Sequence, residues 1–236
     1  TLMRITYYSF GASFLRGTWA QTVVMIFVLI TIVYGCSRAL KETHLKRRLA
    51  YSTMSNLSYI LFGVVLMSPL GLTGALCHMI FHAVMKICSF FCAGAVIYKS
   101  GRNYIYELDG MGRKMPGVFG AFTVSAFALM GVPGLCGFIS KWNLAKAAVD
   151  NPHPLAIPGV AALLISALLT AIYMLTIVVR AFFPGKDFDY RTLDGITDPT
   201  WRMLLPLGIF VVLMILFGLH SAPVVSMLSK LAAAAV

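Results

Sequence analysis

The sequence predicts an all-α protein: a polytopic bundle of membrane-spanning helices with one discontinuous helix. Three observations lead there. Hydrophobic residues make up 59% of the 236 residues and charged residues only 11%, against roughly 25% charged in an ordinary soluble domain. The apolar residues gather in runs close to the ~20 residues a helix needs to cross a bilayer. Near the middle stands Gly131-Val-Pro-Gly-Leu-Cys-Gly137, a combination that interrupts helices. Low charge with high hydrophobicity also excludes a disordered chain.

Five runs read as spans: 19–37, 49–67, 73–98, 158–183 and 203–220. Segment 116–132 carries no charge and is a sixth. Segment 138–149 is too short to cross alone, and it ends at Asp150-Asn-Pro-His-Pro154, a strong helix stop. It is therefore either a separate crossing from 158–183 or half of one broken crossing with it. Basic residues discriminate, because they collect in loops on one side. Arg38, Lys41, Lys46, Arg47 and Arg48 form one group. Lys99, Arg102, Arg113 and Lys114 form a second, and Arg180, Lys186, Arg191 and Arg202 a third. A single broken crossing, 138–149/158–183, puts all three groups on one side. The expectation is therefore one transmembrane domain over 1–236, with cytoplasmic basic loops and the C-terminus outside. Thr1 to Phe14 reads as the tail of a hydrophobic helix, and the chain as a fragment of a longer protein.

The net charge of +11 does not indicate a nucleic-acid groove, because the basic residues sit in short gaps between apolar runs. The expected surroundings are a lipid bilayer and other membrane subunits. Cys36, Cys77, Cys88, Cys92 and Cys136 form no C-x-x-C pair, so no iron–sulfur or zinc spacing is present. The expectation is no metal and no cofactor.

All eight acidic residues lie outside the core spans, and Lys86 is the only formally charged residue between Arg48 and Lys99. Lys86 falls about 20 Å along its span, near the bilayer midplane. Burying a charged lysine there costs a few kcal/mol or more, so an ionisable group at that depth is a functional candidate. His78, His82 and Lys86 repeat every four residues and share one helix face. Such a row can pass protons through intervening water, for which histidine is suited. Two histidines at this spacing also suit a metal, although no carboxylate is near to complete such a site. Lys141 opens the half-helix after the break at Gly131, Pro133, Gly134 and Gly137, where freed backbone admits water. It reads either as the far end of a polar path or as an interfacial anchor. The second span opens with Lys46, at a lip from which protons can enter. Ser52, Ser55 and Asn56 follow, dense hydroxyl and amide groups that either pack helices closely or hydrate a channel.

Three runs together resemble a known family. Lys46-Arg-Arg-Leu-Ala-Tyr-Ser-Thr-Met-Ser55, His78-Met-Ile-Phe-His-Ala-Val-Met-Lys86 and Gly131-Val-Pro133 with Gly137-Phe-Ile-Ser-Lys141 are similar, in order and spacing, to signatures of antiporter-like proton-translocating membrane subunits. These include the large membrane subunits of respiratory complex I and their counterparts in Mrp-type cation/proton antiporters. The resemblance implies two inverted repeats, each with a broken helix, this chain matching the second. It implies that Lys86 is the central proton carrier, flanked by His78 and His82, and that Lys141 is the terminal lysine near the exit. The expected function is a proton-translocating transporter subunit of an antiporter or a respiratory complex, in a bacterial cell membrane. Its ions are protons, with Na+ as a second candidate. The alternatives are a non-pumping subunit that anchors an NADH dehydrogenase or hydrogenase complex, and a membrane metalloenzyme built on His78 and His82. No redox chemistry is expected in this chain itself.

Overall fold

The computed structural model describes residues 2–185 and 188–236. Eight helices carry the architecture: α1 Trp19–Lys41, α2 Leu45–Val65, α3 Pro69–Ser100, α4 Pro116–Met130, α5 Cys136–Val149, α6 Ala156–Phe182, α7 Trp201–Leu219 and α8 Ala222–Ala235. Among the described residues the only β pairing is an isolated bridge, His44 to Tyr104. The N-terminal stretch holds short helical pieces at Leu2–Arg4, Ile5–Phe10 and Ala12–Leu15. Lys186 and Asp187 of the third loop lie outside the described residues.

Local chemistry sets the helix ends. Thr18 caps α1 by accepting from Gln21 N, and Ser68 caps α3 by accepting from Gly71 N, with Pro69 in the first turn. Gly101 and Gly131 end α3 and α4 with φ of 70° and 93°, the left-handed geometry that glycine adopts without strain. The helices overrun the expected spans: α2 begins at Leu45 rather than 49, and α3 extends 73–98 on both sides. Helix α8 lies beyond the last expected span, and its residues Leu228 and Ala232 are buried.

The discontinuity sits elsewhere than the expected pairing of 138–149 with 158–183. Helix α6 is one continuous 27-residue helix, long and apolar enough to cross by itself. Helices α4 and α5 have 15 and 14 residues, about 22 and 21 Å, each short of the ~30 Å hydrocarbon layer. They lie in succession along α3. On α4, Ser125 meets Ser89 Oγ at 2.6 Å and Met85 O at 2.8 Å. On α5, Ser140 meets His78 at 2.9 Å. So 116–149 is the broken crossing and 156–182 is the next one. The number of crossings is unchanged, which is why the basic groups still share one end. There Leu45 N bonds Asn103 O (2.9 Å), Ile105 N bonds Thr43 O (3.0 Å) and Gly110 N bonds Arg180 O (3.1 Å). The Asp198 carboxylate also accepts from Gly117 N and Val118 N at the start of α4, where an anion complements the helix dipole.

At the opposite end the last carbonyls of α2, left over by the helix ladder, find side-chain donors. Tyr7 Oη bonds Val64 O, Gln21 Nε2 bonds Val65 O and Asn151 Nδ2 bonds Leu66 O, each at 2.8 Å, while Arg16 reaches Met67 O. Between the two ends, α2 lies against α1, α3 and α6.

In lipid, helices associate by close packing rather than by burial from water. The break shows this best. A Cβ on Gly137 would run into the Ala128 carbonyl, whereas a Cβ on Gly120 would meet nothing within 4 Å. Gly137→Ala should therefore lower the thermal midpoint of the solubilised protein, by an overpacking penalty of about 1–3 kcal/mol. Gly120→Ala should leave it in place. Equal midpoints for the two variants would contradict the tight α4–α5 junction.

Candidate functional site

Helix α3 carries the centre of the site. His78 (fully buried), His82 (6% exposed) and Lys86 (5% exposed) occupy one inward face. The His78 and His82 rings stack with centroids 5.8 Å apart. The Lys86 ammonium donates to Leu49 O at 3.1 Å and to Ser52 Oγ at 2.7 Å, both on α2.

The other end of the row belongs to α5. His78 Nδ1 lies 2.9 Å from Ser140 Oγ, whose hydroxyl also reaches Gly137 O at 3.1 Å. The next residue, Lys141, donates to Leu129 O and Met130 O, at 2.6 and 3.1 Å. These are terminal carbonyls of α4, so Lys141 caps one half of the broken helix from the other, a favourable place for a cation. Its ammonium also lies 5.5 Å from the centre of the Tyr59 ring, and Tyr59 is 5.3 Å from the His78 ring. At the break, a Cβ on Gly131 would sit 3.2 Å from Lys141 Cδ. Pro133 and Gly134 complete the non-helical link, and the Gly134 carbonyl packs onto Gly218 of α7.

The sequence-derived candidates therefore separate into groups. Lys86, His82, His78, Ser140 and Lys141 form one row running from α2 to the break. Asn56 donates to Ser52 O at 2.8 Å and so flanks the row. Ser55 does not bond Lys86; it lies 3.1 Å from both Cys36 Sγ on α1 and Ser166 Oγ on α6. Lys46 is exposed at the basic end. The basic residue that turns inward is its neighbour Arg48, which is 6% exposed and donates to Glu42 O (2.8 Å), Tyr173 O (3.0 Å) and Leu40 O (3.4 Å). Arg48 and Ser140 were not among the expected site residues. Helical spacing counted from Leu49 and from Lys141 does not reveal which face turns inward.

Charge balance in the row is unusual. Among the described residues the two ion pairs, Lys114–Asp194 and Arg180–Asp109, both at 3.4 Å, belong to the basic end. Lys86, Lys141 and Arg48 are held by carbonyls and hydroxyls. A cleft of about 550 Å³ between α5 and α6 opens from Gly131 and Lys141 past Trp142 and Leu164 to Lys146 and Asp150. The polar row thus connects to the end of the bundle opposite the basic loops. His78 Nε2, His82 Nε2 and Asn56 Oδ1 are buried without a partner among the described residues, and buried polar atoms of this kind are normally satisfied by ordered water. Experimental maps of the assembled protein should place water within hydrogen-bonding distance of these three atoms. Three atoms facing only carbon would contradict a hydrated row.

Comparison with known proteins agrees with this architecture. The family described as NADH:quinone oxidoreductase/Mrp antiporter, transmembrane, matches residues 2–170. NAD(P)H-quinone oxidoreductase chain 4 of Prochlorococcus marinus is 30% identical over 218 residues, covering 89% of this chain and 39% of the relative. NADH-quinone oxidoreductase subunit N of Desulforudis audaxviator is 31% identical over 204 residues, covering 83% and 40%. The chain thus spans about two-fifths of the length of these curated relatives. The fold is shared with a chain of the Mrp complex from Dietzia sp. DQ12-45-1b, with a TM-score of 0.87, 23% identity and coverage of 99% and 50%. It is also shared with a chain of respiratory complex I from Thermus thermophilus, with a TM-score of 0.80, 24% identity and coverage of 91% and 44%.

Proposed function

The chain belongs to the NADH:quinone oxidoreductase/Mrp antiporter membrane family, and from that membership and the buried amine row we propose that it carries protons across the membrane within a multisubunit complex. The observation that carries the proposal is Lys86. It lies near the middle of a 32-residue helix, is held by Leu49 O and Ser52 Oγ, and has no carboxylate partner among the described residues. A purely structural cation in that place would add desolvation cost without an ion pair to offset it. An amine held only by neutral acceptors can lose its proton and still keep its neighbours.

In this reading protons reach Lys86 from the basic end, close to the start of α2, and move along His82 and His78 to Ser140 and Lys141. They leave through the cleft between α5 and α6. The two histidines act as neutral donor–acceptor rings with water between them. Lys141 works as a gate at the helix break: its proton state decides how strongly it holds the α4 carbonyls. A change of charge elsewhere in the complex shifts both amines and so drives the cycle. The basic loops face the cytoplasm, in keeping with the usual bias of basic residues. Other membrane subunits complete the assembly, and Na+ is a second candidate ion for an antiporter setting.

Replacing Lys86 by Ala in the full-length protein should leave the complex assembled and reduce proton transport in reconstituted vesicles to the level of empty vesicles. Lys141→Ala should do the same, or leave only slow transport. An assembled Lys86→Ala complex that transports at the normal rate favours the alternative of a non-pumping anchoring subunit.

A further inference from the structure

The row from Lys86 to Lys141 leaves one buried polar group without a role, the hydroxyls that α6 directs at Lys86 from the side. Tyr173 Oη lies 2.7 Å from Ser52 Oγ and 3.1 Å from Thr170 Oγ1, and Thr170 donates to Ser166 O at 2.7 Å. Tyr173 and Ser52 are fully buried and Thr170 is 1% exposed. We propose that Tyr173 is a positioning residue for Lys86, completing a chain Ser52–Tyr173–Thr170 whose donor direction reverses as Lys86 gains and loses its proton. This inference rests on the transport reading of Lys86 given above.

The argument is a count of hydrogens. Each hydroxyl has one to donate and can accept from others. When Lys86 is an ammonium it donates to Ser52 Oγ, so the Ser52 hydrogen must point elsewhere. In the structure the 2.7 Å bond runs from Tyr173 Oη to Ser52 Oγ; in the proposed chain the ammonium state turns it round, so that the Tyr173 oxygen takes the Ser52 hydrogen. Tyr173 then donates to Thr170, and Thr170 to the Ser166 carbonyl, so that every hydrogen in this chain of hydroxyls has an acceptor. When Lys86 is a neutral amine its lone pair accepts the Ser52 hydrogen. The Tyr173 hydroxyl turns back to donate to Ser52, while Thr170 keeps the Ser166 carbonyl. A phenolic hydroxyl swings between these two directions in the plane of its ring without moving the ring itself.

The surroundings hold Tyr173 where this is possible. Arg48 donates to the Tyr173 carbonyl at 3.0 Å and to carbonyls at the end of α1, so α6 is tied to the α1–α2 turn at this residue. The titratable or charged groups around Lys86 are Cys36 on α1, Arg48 on α2, His78 and His82 on α3, Lys141 on α5 and Tyr173 on α6. Tyr173→Phe changes only one of these six and keeps the ring in place. It leaves the Ser52 hydrogen without its acceptor in the ammonium state alone, because in the neutral state Lys86 itself takes that hydrogen. An unmade bond from a buried donor is the larger penalty, so the variant favours the neutral amine.

The test uses the full-length protein in its complex, reconstituted in vesicles, with initial proton transport measured as a function of pH. Y173F should assemble normally and transport roughly 3- to 10-fold more slowly, as expected for the loss of one buried hydrogen bond. Its half-maximal pH should fall by about half a unit or more. Ser52→Ala should show a comparable loss, and the Y173F/S52A double variant should be no worse than the more impaired single variant, because both changes break one chain. A normal rate with a normal midpoint overturns the proposal. So does a slower rate with an unmoved midpoint, an additive double variant, or a Y173F protein that fails to assemble, since each assigns Tyr173 a purely structural role or none. Lys86→Ala run beside them separates the two claims. Normal transport in Lys86→Ala overturns the transport reading itself, whereas a dead Lys86→Ala beside a normal Y173F overturns only the role of Tyr173.

Discussion

Cations buried without acids have to be held by oxygen atoms that carry no full charge, and the structure is organised around that constraint. Lys86, Lys141 and Arg48 each find carbonyls, at Leu49, at Leu129 and Met130, and at Glu42, Tyr173 and Leu40. Within an intact helix each carbonyl is already engaged by the residue four places on. Carbonyls with spare capacity occur where a helix ends, or where a second donor approaches from a neighbour. The break between α4 and α5 exposes such carbonyls in the interior, the end of α1 supplies Leu40 O and Glu42 O, and Leu49 O on α2 and Tyr173 O on α6 each take a second donor from a neighbour. Both amines of the row are thus bound to places where the helical ladder is interrupted or shared.

This kind of binding has a consequence for proton transfer. An ion pair ties the protonation of a lysine to the charge of its partner, and separating a buried pair costs several kcal/mol. Carbonyls and hydroxyls accept from an ammonium and tolerate a neutral amine. A hydroxyl goes further, because it can reverse its direction. Ser52 touches Lys86 and Ser140 touches His78, and the histidines between these hydroxyls can each donate or accept at either ring nitrogen. The chemistry of the row is therefore symmetrical with respect to the presence or absence of a proton, which a transport path requires and a structural cation does not.

Packing supplies what the polar groups need. Gly137 allows the start of α5 to lie directly on the Ala128 carbonyl, and Gly218 allows α7 to press on Gly134. These contacts keep the break narrow, so the released carbonyls face Lys141. At the end opposite the basic loops the last carbonyls of α2 and the residues after it accept from Tyr7, Arg16, Gln21 and Asn151. The α5–α6 cleft reaches Lys141 at the break.

Much of this was legible in the order of residues. Apolar runs, sparse charge and basic gaps are properties of the chain itself, and they determined an all-helical membrane protein with its basic loops at one end. A four-residue repeat fixes angles on a helix, so His78, His82 and Lys86 had to share a face. Gly131 to Gly137 had to break a helix, since glycine and proline act through their own backbones. Tertiary structure alone decided which two segments the break joins, because hydropathy records length but not which neighbour lies in line. It also decided that Arg48 rather than Lys46 turns inward, that Ser52 rather than Ser55 meets Lys86, and that Tyr173 stands 121 residues away from Ser52 in sequence and 2.7 Å in space. Those outcomes depend on how helices rotate about their axes when they pack. No periodicity within one helix contains that rotation, because it is set jointly by the surfaces of its neighbours.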